Sequence, residues 1–437
     1  MKRLKDIIKH SLLFTIFIVL WTPFAIQYFS NEDFFPLKGA VTLPSDIVFS
    51  KKEWISAEYQ QKKEEYLNSS FGFRSLFVRL NNQIAFNLFK KAKANGVVIG
   101  KENYLYEEGY INACYGKDYL GEDSISHTIN RFKFISDTLN KLGKQLIVVF
   151  APGKGSFFSE YIPDSYLPRS EKTNYKTFAA KAKESQLNVI DFNKWFLDNK
   201  SISKYPLYSK QGVHWSLYGT ALAADSLIKT IEKLRNIDAP NLLIDGVDMK
   251  PAEGVDYDIA DGMNLLFHIK GFDVAYPRMQ FVLDSGKTKP KVLVVSDSYY
   301  WGMYNLGIAN CFQNDHFWYY NKQVFPESSI QETLAENQDF GLAINNHEVF
   351  VIISTEPTIR KISWGFIERA ELHFKGKDKV SEGVSMEIYN KKVKEFVEFI
   401  KKNKKWFTDT SKRAKERNIS IDSCLILEAM WQIDNAK

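Results

Sequence analysis

Two kinds of hydrophobic pattern alternate along the chain. Short unbroken apolar runs occur at Gln145–Phe150 (QLIVVF), Asn188–Ile190, Lys291–Val295 (KVLVV) and Val349–Ile353 (VFVII). Runs of this length, rich in β-branched residues and stopped by Pro152 and Gly153 or by Asp191, predict strands buried on both faces. Between them, apolar residues recur at helical spacing. Helices are expected near Ile129–Leu142, over Asn174–Glu184, and from a Ser216 cap to about Leu234, where Leu217, Ala221, Ala224, Ile228 and Ile231 share a face. Buried strands separated by helical segments read as a mostly parallel sheet with helices on both faces, a three-layer α/β/α domain. Residues 32–95 carry apolar positions such as Phe73, Phe77, Leu80, Ile84 and Leu88 at roughly helical spacing, so a helical neck is expected there. Residues 388–437 read as helical and basic, with Phe396, Phe399, Ile400 and Trp406 as apolar contacts. The expected segments are therefore 1–31, 32–95, 96–387 and 388–437.

The longest apolar run, Ser11–Asn31, has no formal charge. As a helix it spans about 30 Å, the thickness of a bilayer's hydrocarbon core. Pro23 lies near its far end, and Trp21, Phe24 and Tyr28 suit an interface. Lys2, Arg3, Lys5 and Lys9 precede the run, and Glu32 and Asp33 follow it. The positive-inside rule then puts the N-terminus in the cytoplasm and exports the rest. A signal anchor is favoured over a cleaved signal peptide, because no small-x-small site follows the run.

Composition adds little to this until the charges are located. With 437 residues, 45% hydrophobic and 25% charged, the chain is neither disordered nor polytopic in the membrane. Its net charge of +6 suggests a nucleic-acid partner. The surplus, however, sits in the first ten residues and in 391–417, leaving the chain between them acidic on balance. A phosphate-tracking groove needs a basic face, so no nucleic-acid partner is expected. Cys114, Cys311 and Cys424 have no metal-site spacing, although an exported compartment would permit one disulfide. The seven histidines are scattered, and His347-Glu348 lacks the second histidine of H-E-x-x-H. Gly153-Lys154-Gly155-Ser156 resembles a phosphate loop, but position 148 is Val and position 155 is Gly. Neither a metal nor a cofactor is expected.

In open α/β sheets, sites form at the carboxyl ends of strands. Ser296-Asp297-Ser298 follows KVLVV, so a serine hydroxyl there opens onto a loop or helix as a candidate nucleophile. The competing reading is a turn whose serines satisfy backbone donors. His214, in Gly212-Val213-His214-Trp215-Ser216, is a candidate general base or a structural histidine at a helix entry. Glu356, in Ser354-Thr355-Glu356-Pro357, could orient a histidine or sit as a solvated carboxylate.

In order and spacing, these pieces resemble the alginate O-acetyltransferase group of SGNH-hydrolase-like proteins, the AlgX/AlgJ type. Phe71-Gly72-Phe73-Arg74, Val98-Ile99-Gly100-Lys101 with Tyr104-Leu105-Tyr106, and Ala151-Pro152-Gly153-Lys154 with Tyr161-Ile162-Pro163 are similar to segments of that family. Val213-His214-Trp215-Ser216 with Gly219 resembles its H-W-S-x-x-G motif, and Ser296-Asp297-Ser298 stands where its G-D-S stands. The resemblance implies a flavodoxin-like SGNH domain in which the histidine precedes the serine. Ser298 is then the nucleophile and His214 its base, with a covalent acetyl-serine as intermediate. It also implies a polysaccharide acceptor and an acetyl donor reached through a membrane-bound O-acyltransferase-type partner. The main domain would be periplasmic on a single-pass inner-membrane anchor.

One position departs from the family pattern. The acid two residues before the histidine is replaced by Gly212. Asp191, Asp297 and Glu356 are the candidate substitutes. Trp215, Lys154, Thr355 and Tyr299, adjacent to these motifs, are expected to contact substrate. The competing functions are a carbohydrate O-acetyl esterase of the same fold and a polysaccharide-binding scaffold that has lost its acid.

Overall fold

A computed structural model describes residues 2–29, 35–39, 45–376, 386–416 and 421–435. Among the described residues the strands, in chain order, are β1 Val97–Ile99, β2 Leu105–Glu107, β3 Gln145–Phe150, β4 Asn188–Asp191, β5 Asn241–Lys250, β6 Val274–Val282, β7 Lys291–Ser296, β8 Asn314–Tyr319, β9 Gln323–Phe325 and β10 Val349–Ser354. Six of them form one sheet in the order β4-β3-β10-β7-β8-β9. The first five run parallel, and β9 returns antiparallel to β8. This is the mostly parallel α/β sheet that the apolar runs predict. Every residue of β10 is buried, because helices cover both faces. Alternate residues feed two cores. Ile147, Val149, Val292, Val294, Val351 and Ile353 face one, and Leu146, Val148, Leu293, Val295, Phe350 and Ile352 face the other.

Two features exceed the sequence reading. Strands β8 and β9 extend the sheet beyond β7. Within β8 Phe317 and Trp318 are the buried apolar pair, so no continuous apolar run marks it. Strands β5 and β6 form a separate antiparallel hairpin, and the segment between them returns to the end of the main sheet. Helix Glu122–Lys141 begins earlier than its apolar spacing suggests, with Glu122 and Asp123 in its first turn, where carboxylates complement the helix dipole. Ser216 caps helix Leu217–Arg235 by accepting from the Gly219 N–H at 3.0 Å.

At the N-terminal side, helix Lys2–Phe29 includes one stretch, Lys5–Phe29, long and apolar enough to cross a membrane. The neck contains helices Lys51–Ile55, Glu58–Ser70 and Arg74–Phe89. The expected boundary at residues 31 and 32, with its flanking Glu32 and Asp33, lies outside the described residues. Helices Met386–Lys402, Lys404–Glu416 and Ile421–Asn435 pack on one another around Val393, Ile400, Leu425 and Ala429. Phe396 and Trp406 pack against that small core, whereas Phe399 is exposed. All three cysteines are free and buried.

Candidate active site

The strand register fixes where the site forms. Ser296 pairs with Ile353 of β10 and with Tyr319 of β8, and Ser354 pairs with Phe150 of β3. The residues that follow these strands therefore emerge on one rim of the sheet. Asp297, Ser298, Tyr320, Thr355 and Glu356 all leave that rim.

Ser298 precedes the short helix Tyr299–Asn305, and its side chain is partly open to solvent. His214 approaches from the loop ahead of helix Leu217–Arg235. Its Nε2 lies 2.9 Å from Ser298 Oγ, and its Nδ1 lies 2.5 Å from Asp258 Oδ2. Asp258 opens the short helix Asp258–Gly262, within the segment between β5 and β6. Its other oxygen accepts the Val213 N–H at 2.8 Å and its neighbour Ile259's N–H at 2.7 Å. The carboxylate is thus fixed to the loop that carries His214. With Asp258 accepting from Nδ1–H, the Nε2 lone pair is left to face the serine hydroxyl. Burial would push the His214 imidazole down. The Asp258 hydrogen bond and charge outweigh it, aided by Asp297 and Glu107, and the net direction is upward from 6.5.

The three acids expected from sequence are engaged elsewhere. Asp297 is buried. Its Oδ1 accepts from Tyr299 N, and its Oδ2 accepts from Thr355 N, Thr355 Oγ1 and Thr358 Oγ1. It ties the β7 and β10 ends together and adds charge near His214. Asp191 caps helix Phe192–Asn199 through the Lys194 N–H and accepts from the Tyr175 hydroxyl. Glu356 is buried, and its Oε1 accepts from Ser156 Oγ at 2.7 Å and Asn193 Nδ2 at 3.1 Å. Burial raises its carboxyl to about 7.

Gly212 explains why the acid comes from elsewhere. A Cβ at this position would stand 2.6 Å from the Val255 carbonyl oxygen and 2.8 Å from the Asp256 carbonyl carbon. Both are backbone atoms of the segment that delivers Asp258, so any side chain at 212 would collide with it. The missing acid and the close approach of residues 254–258 are one arrangement. Sequence reasoning missed Asp258 because it lies 44 positions after His214 in a stretch without a strong periodic signal. The one available cue was the glycine itself, read as room for a close backbone neighbour.

The four expected substrate contacts are closed to solvent. Trp215 packs between Phe196 and Tyr299. Tyr299 donates to the Val213 carbonyl at 2.7 Å and shares a 3.0 Å contact with the Tyr208 hydroxyl. Thr355 is held by Asp297. Lys154 is fully buried, and its Nζ donates to the Lys210 carbonyl at 2.9 Å and the Gly212 carbonyl at 2.5 Å. Burial lowers this ammonium to about 7, against the pull of Asp258, Asp256 and Glu107. These side chains hold the loop and helix of the site and are themselves closed to solvent. Tyr320, which sequence reasoning did not single out, is exposed at the same rim. Its backbone φ of 53° is in the left-handed region, which a tyrosine seldom adopts.

A hydrogen-bonded serine, histidine and carboxylate at the end of a parallel sheet is the arrangement of an acyl-transfer site. Residues 97–246 match the family model for the SGNH hydrolase-like domain of acetyltransferase AlgX. Over that segment the chain is similar to the AlgX/AlgJ group of SGNH-hydrolase-like acetyltransferases. Among curated relatives it is similar to the probable alginate O-acetylase AlgJ of Pseudomonas putida, 20% identical over 202 residues, covering 46% of this chain and 51% of that protein. It is also similar to the probable alginate O-acetylase AlgJ of Pseudomonas syringae, 22% identical over 173 residues, covering 40% of this chain and 42% of that protein. The chain thus spans about half the length of the curated relatives it matches. Among solved structures it is similar to the O-acetyltransferase domain of Pseudomonas putida AlgJ, with a TM-score of 0.41 at 16% identity, covering 61% of this chain and 92% of that one. Pseudomonas aeruginosa AlgX gives 0.39 at 14% identity, covering 62% and 67%.

Proposed function

We propose that this protein is a membrane-anchored O-acetyltransferase of the cell envelope, moving acetyl groups onto hydroxyls of an exported polysaccharide through an acetyl-Ser298 intermediate. The observation that carries the reading is the unbroken chain Asp258–His214–Ser298, with both imidazole nitrogens engaged. His214 Nε2 takes the Ser298 proton as Oγ attacks the acetyl carbonyl, and the bond to the donor oxygen breaks. The proton leaves with that oxygen. A sugar hydroxyl then enters, gives its proton to Nε2 and takes the acetyl group, and that proton passes to Ser298 Oγ as its bond to the acetyl carbon breaks. Asp258 holds the tautomer and offsets the imidazolium charge.

The family supports a polysaccharide acceptor and, on the donor side, a membrane-bound O-acyltransferase-type partner. The Lys5–Phe29 helix supports a single-pass anchor with the N-terminus cytoplasmic and the α/β domain periplasmic. The scaffold alternative drew its force from Gly212, and Asp258 supplies the acid that this glycine lacks.

The test is acetylation of Ser298 in the full-length protein by a small acetyl ester, followed by mass spectrometry of the peptide containing residue 298. The acetylated peptide should appear in wild type and vanish in Ser298→Ala. Equal turnover of the ester by both proteins would overturn the reading. Product analysis with and without added glycan separates transfer from hydrolysis.

A further inference from the structure

The neck helix Arg74–Phe89 is turned inside out. Its buried face carries Ser75, Asn82, Gln83, Ala85 and Phe86. Two polar side chains of that face are tied to the 263–267 segment. Asn82 Nδ2 donates to the Met263 carbonyl, and Gln83 Oε1 accepts the Phe267 N–H. The opposite face carries Phe77, Leu80, Ile84 and Leu88, spaced 3, 4 and 4 residues apart, and they are 44%, 42%, 44% and 73% exposed. Phe267, 67% exposed, belongs to the segment that Gln83 holds. A soluble helix buries its large apolar side chains and exposes its amides. Here the hydrogen bonds fix the amides inward, so the apolar stripe cannot turn away from its surroundings.

The same neck touches the apolar N-terminal helix. A Cβ on Gly72 would stand 2.2 Å from the Pro23 carbonyl and 3.1 Å from Ile26 Cβ, so the Phe71–Phe73 turn sits against the last turns of Lys5–Phe29. Trp21, Phe24 and Tyr28 mark the same end of that helix, where aromatic side chains meet lipid headgroups. The stripe therefore begins at interface depth. Past its far end, Lys90, Lys91 and Lys93 are exposed, a composition that suits anionic headgroups.

We propose that helix Arg74–Phe89 lies on the membrane surface entered by the Lys5–Phe29 helix, with Phe77, Leu80, Ile84 and Leu88 seated at the boundary between headgroups and acyl chains. The inference rests on the reading of Lys5–Phe29 as a membrane helix. It makes the neck a second attachment that sets how the rim carrying Ser298 faces the bilayer.

The test uses the full chain in vesicles of phosphatidylethanolamine and phosphatidylglycerol. Single cysteines replacing Ile84, Leu88, Ile16 and Glu171 carry nitroxide labels, with the unmutated protein as background for the three buried native thiols. Collision rates are read with lipid-soluble oxygen and with a water-soluble nickel chelate. The ratio of oxygen to chelate collisions should be several-fold higher at 84 and 88 than at 171. A ratio at 84 and 88 equal to that at 171 overturns the proposal. Shielding from both reagents overturns it in favour of a protein partner, and dipolar broadening between labels would identify a second copy. The label at 16 separates the two readings, because a water-like ratio there refutes the anchor itself. All four positions are exposed, and unchanged thermal melting of each variant verifies its fold.

Discussion

Two loops at the same rim of the sheet each offer a carboxylate, and their fates differ. Asp258 comes from the segment between β5 and β6, a part of the chain outside the main sheet. Both of its oxygens have donors, two backbone N–H groups on one and the His214 ring on the other. Glu356 follows the central strand β10, where sequence reasoning looks first. It is sealed among Ser156, Asn193 and Gly153, and its Oε2 has no hydrogen-bond partner. A Cβ on Gly153 would fall 1.9 Å from that oxygen. Nearness to a strand end does not make a carboxylate useful. It needs donors for its charge and a line to the histidine, and here only the peripheral loop supplies both.

The sharpest way to break this comparison is Asp258→Asn. Loss of the acid in a serine–histidine–acid site costs about 10⁴ in kcat, and a fall of that order is expected here in steady-state turnover of a small acetyl ester. The same variant should move the pH profile. His214 must be neutral to accept a proton, and its folded value lies above 6.5, so kcat/KM should rise with pH through a limb above 6.5. Without Asp258 that limb should move to lower pH. A limb that stays in place would mean that another group sets it.

Gly212→Ala is the intermediate case. The added methyl meets backbone rather than a flexible side chain, so the 254–258 segment must shift. A displacement near 1 Å costs about 10² in rate, which is the loss expected in kcat. Unchanged kcat would refute the link between Gly212 and the position of Asp258.

Glu356→Gln should change turnover by no more than a few-fold, since Glu356 does not touch His214. Its effect belongs to stability. The Glu356 carboxyl is raised to about 7 in the folded state, from 4.5. The unfolded chain therefore releases this proton first, and stability falls as pH rises from about 4.5 to 7. The linked cost is on the order of 3 kcal/mol. The Gln variant lacks it, so its loss of Tm between pH 5 and pH 8 should be smaller than that of wild type. Asp256, also raised to about 7 by burial, contributes equally in both proteins. Equal Tm losses would show that Glu356 is not held in that state.

The difference between these two loops also marks how far the sequence could be read. The buried strands were legible because an apolar run flanked by turn residues has few other uses. QLIVVF, KVLVV and VFVII all lie in the sheet as expected. Strand β8 was not, since Asn314 and His316 interrupt its apolar character. Ser298 and His214 were legible because each follows or precedes a recognisable element. Lys154, Thr355, Trp215 and Tyr299 lie beside the serine and histidine, but their burial was not legible. Polar groups can be buried when partners satisfy them, and those partners come from distant segments.

By itself the sequence determined the parallel α/β sheet, the apolar N-terminal helix, and the serine and histidine at two loop positions. These follow from local pattern, because strand burial and helix capping are short-range properties. Tertiary structure decided which carboxylate reaches the histidine, which side chains are sealed in, and which face of the neck is left apolar. Each of those depends on contacts between segments tens to hundreds of residues apart. Gly212 joins the two kinds of information: its place was visible in the chain, but its purpose appeared only when the backbone of Val255 and Asp256 was found beside it.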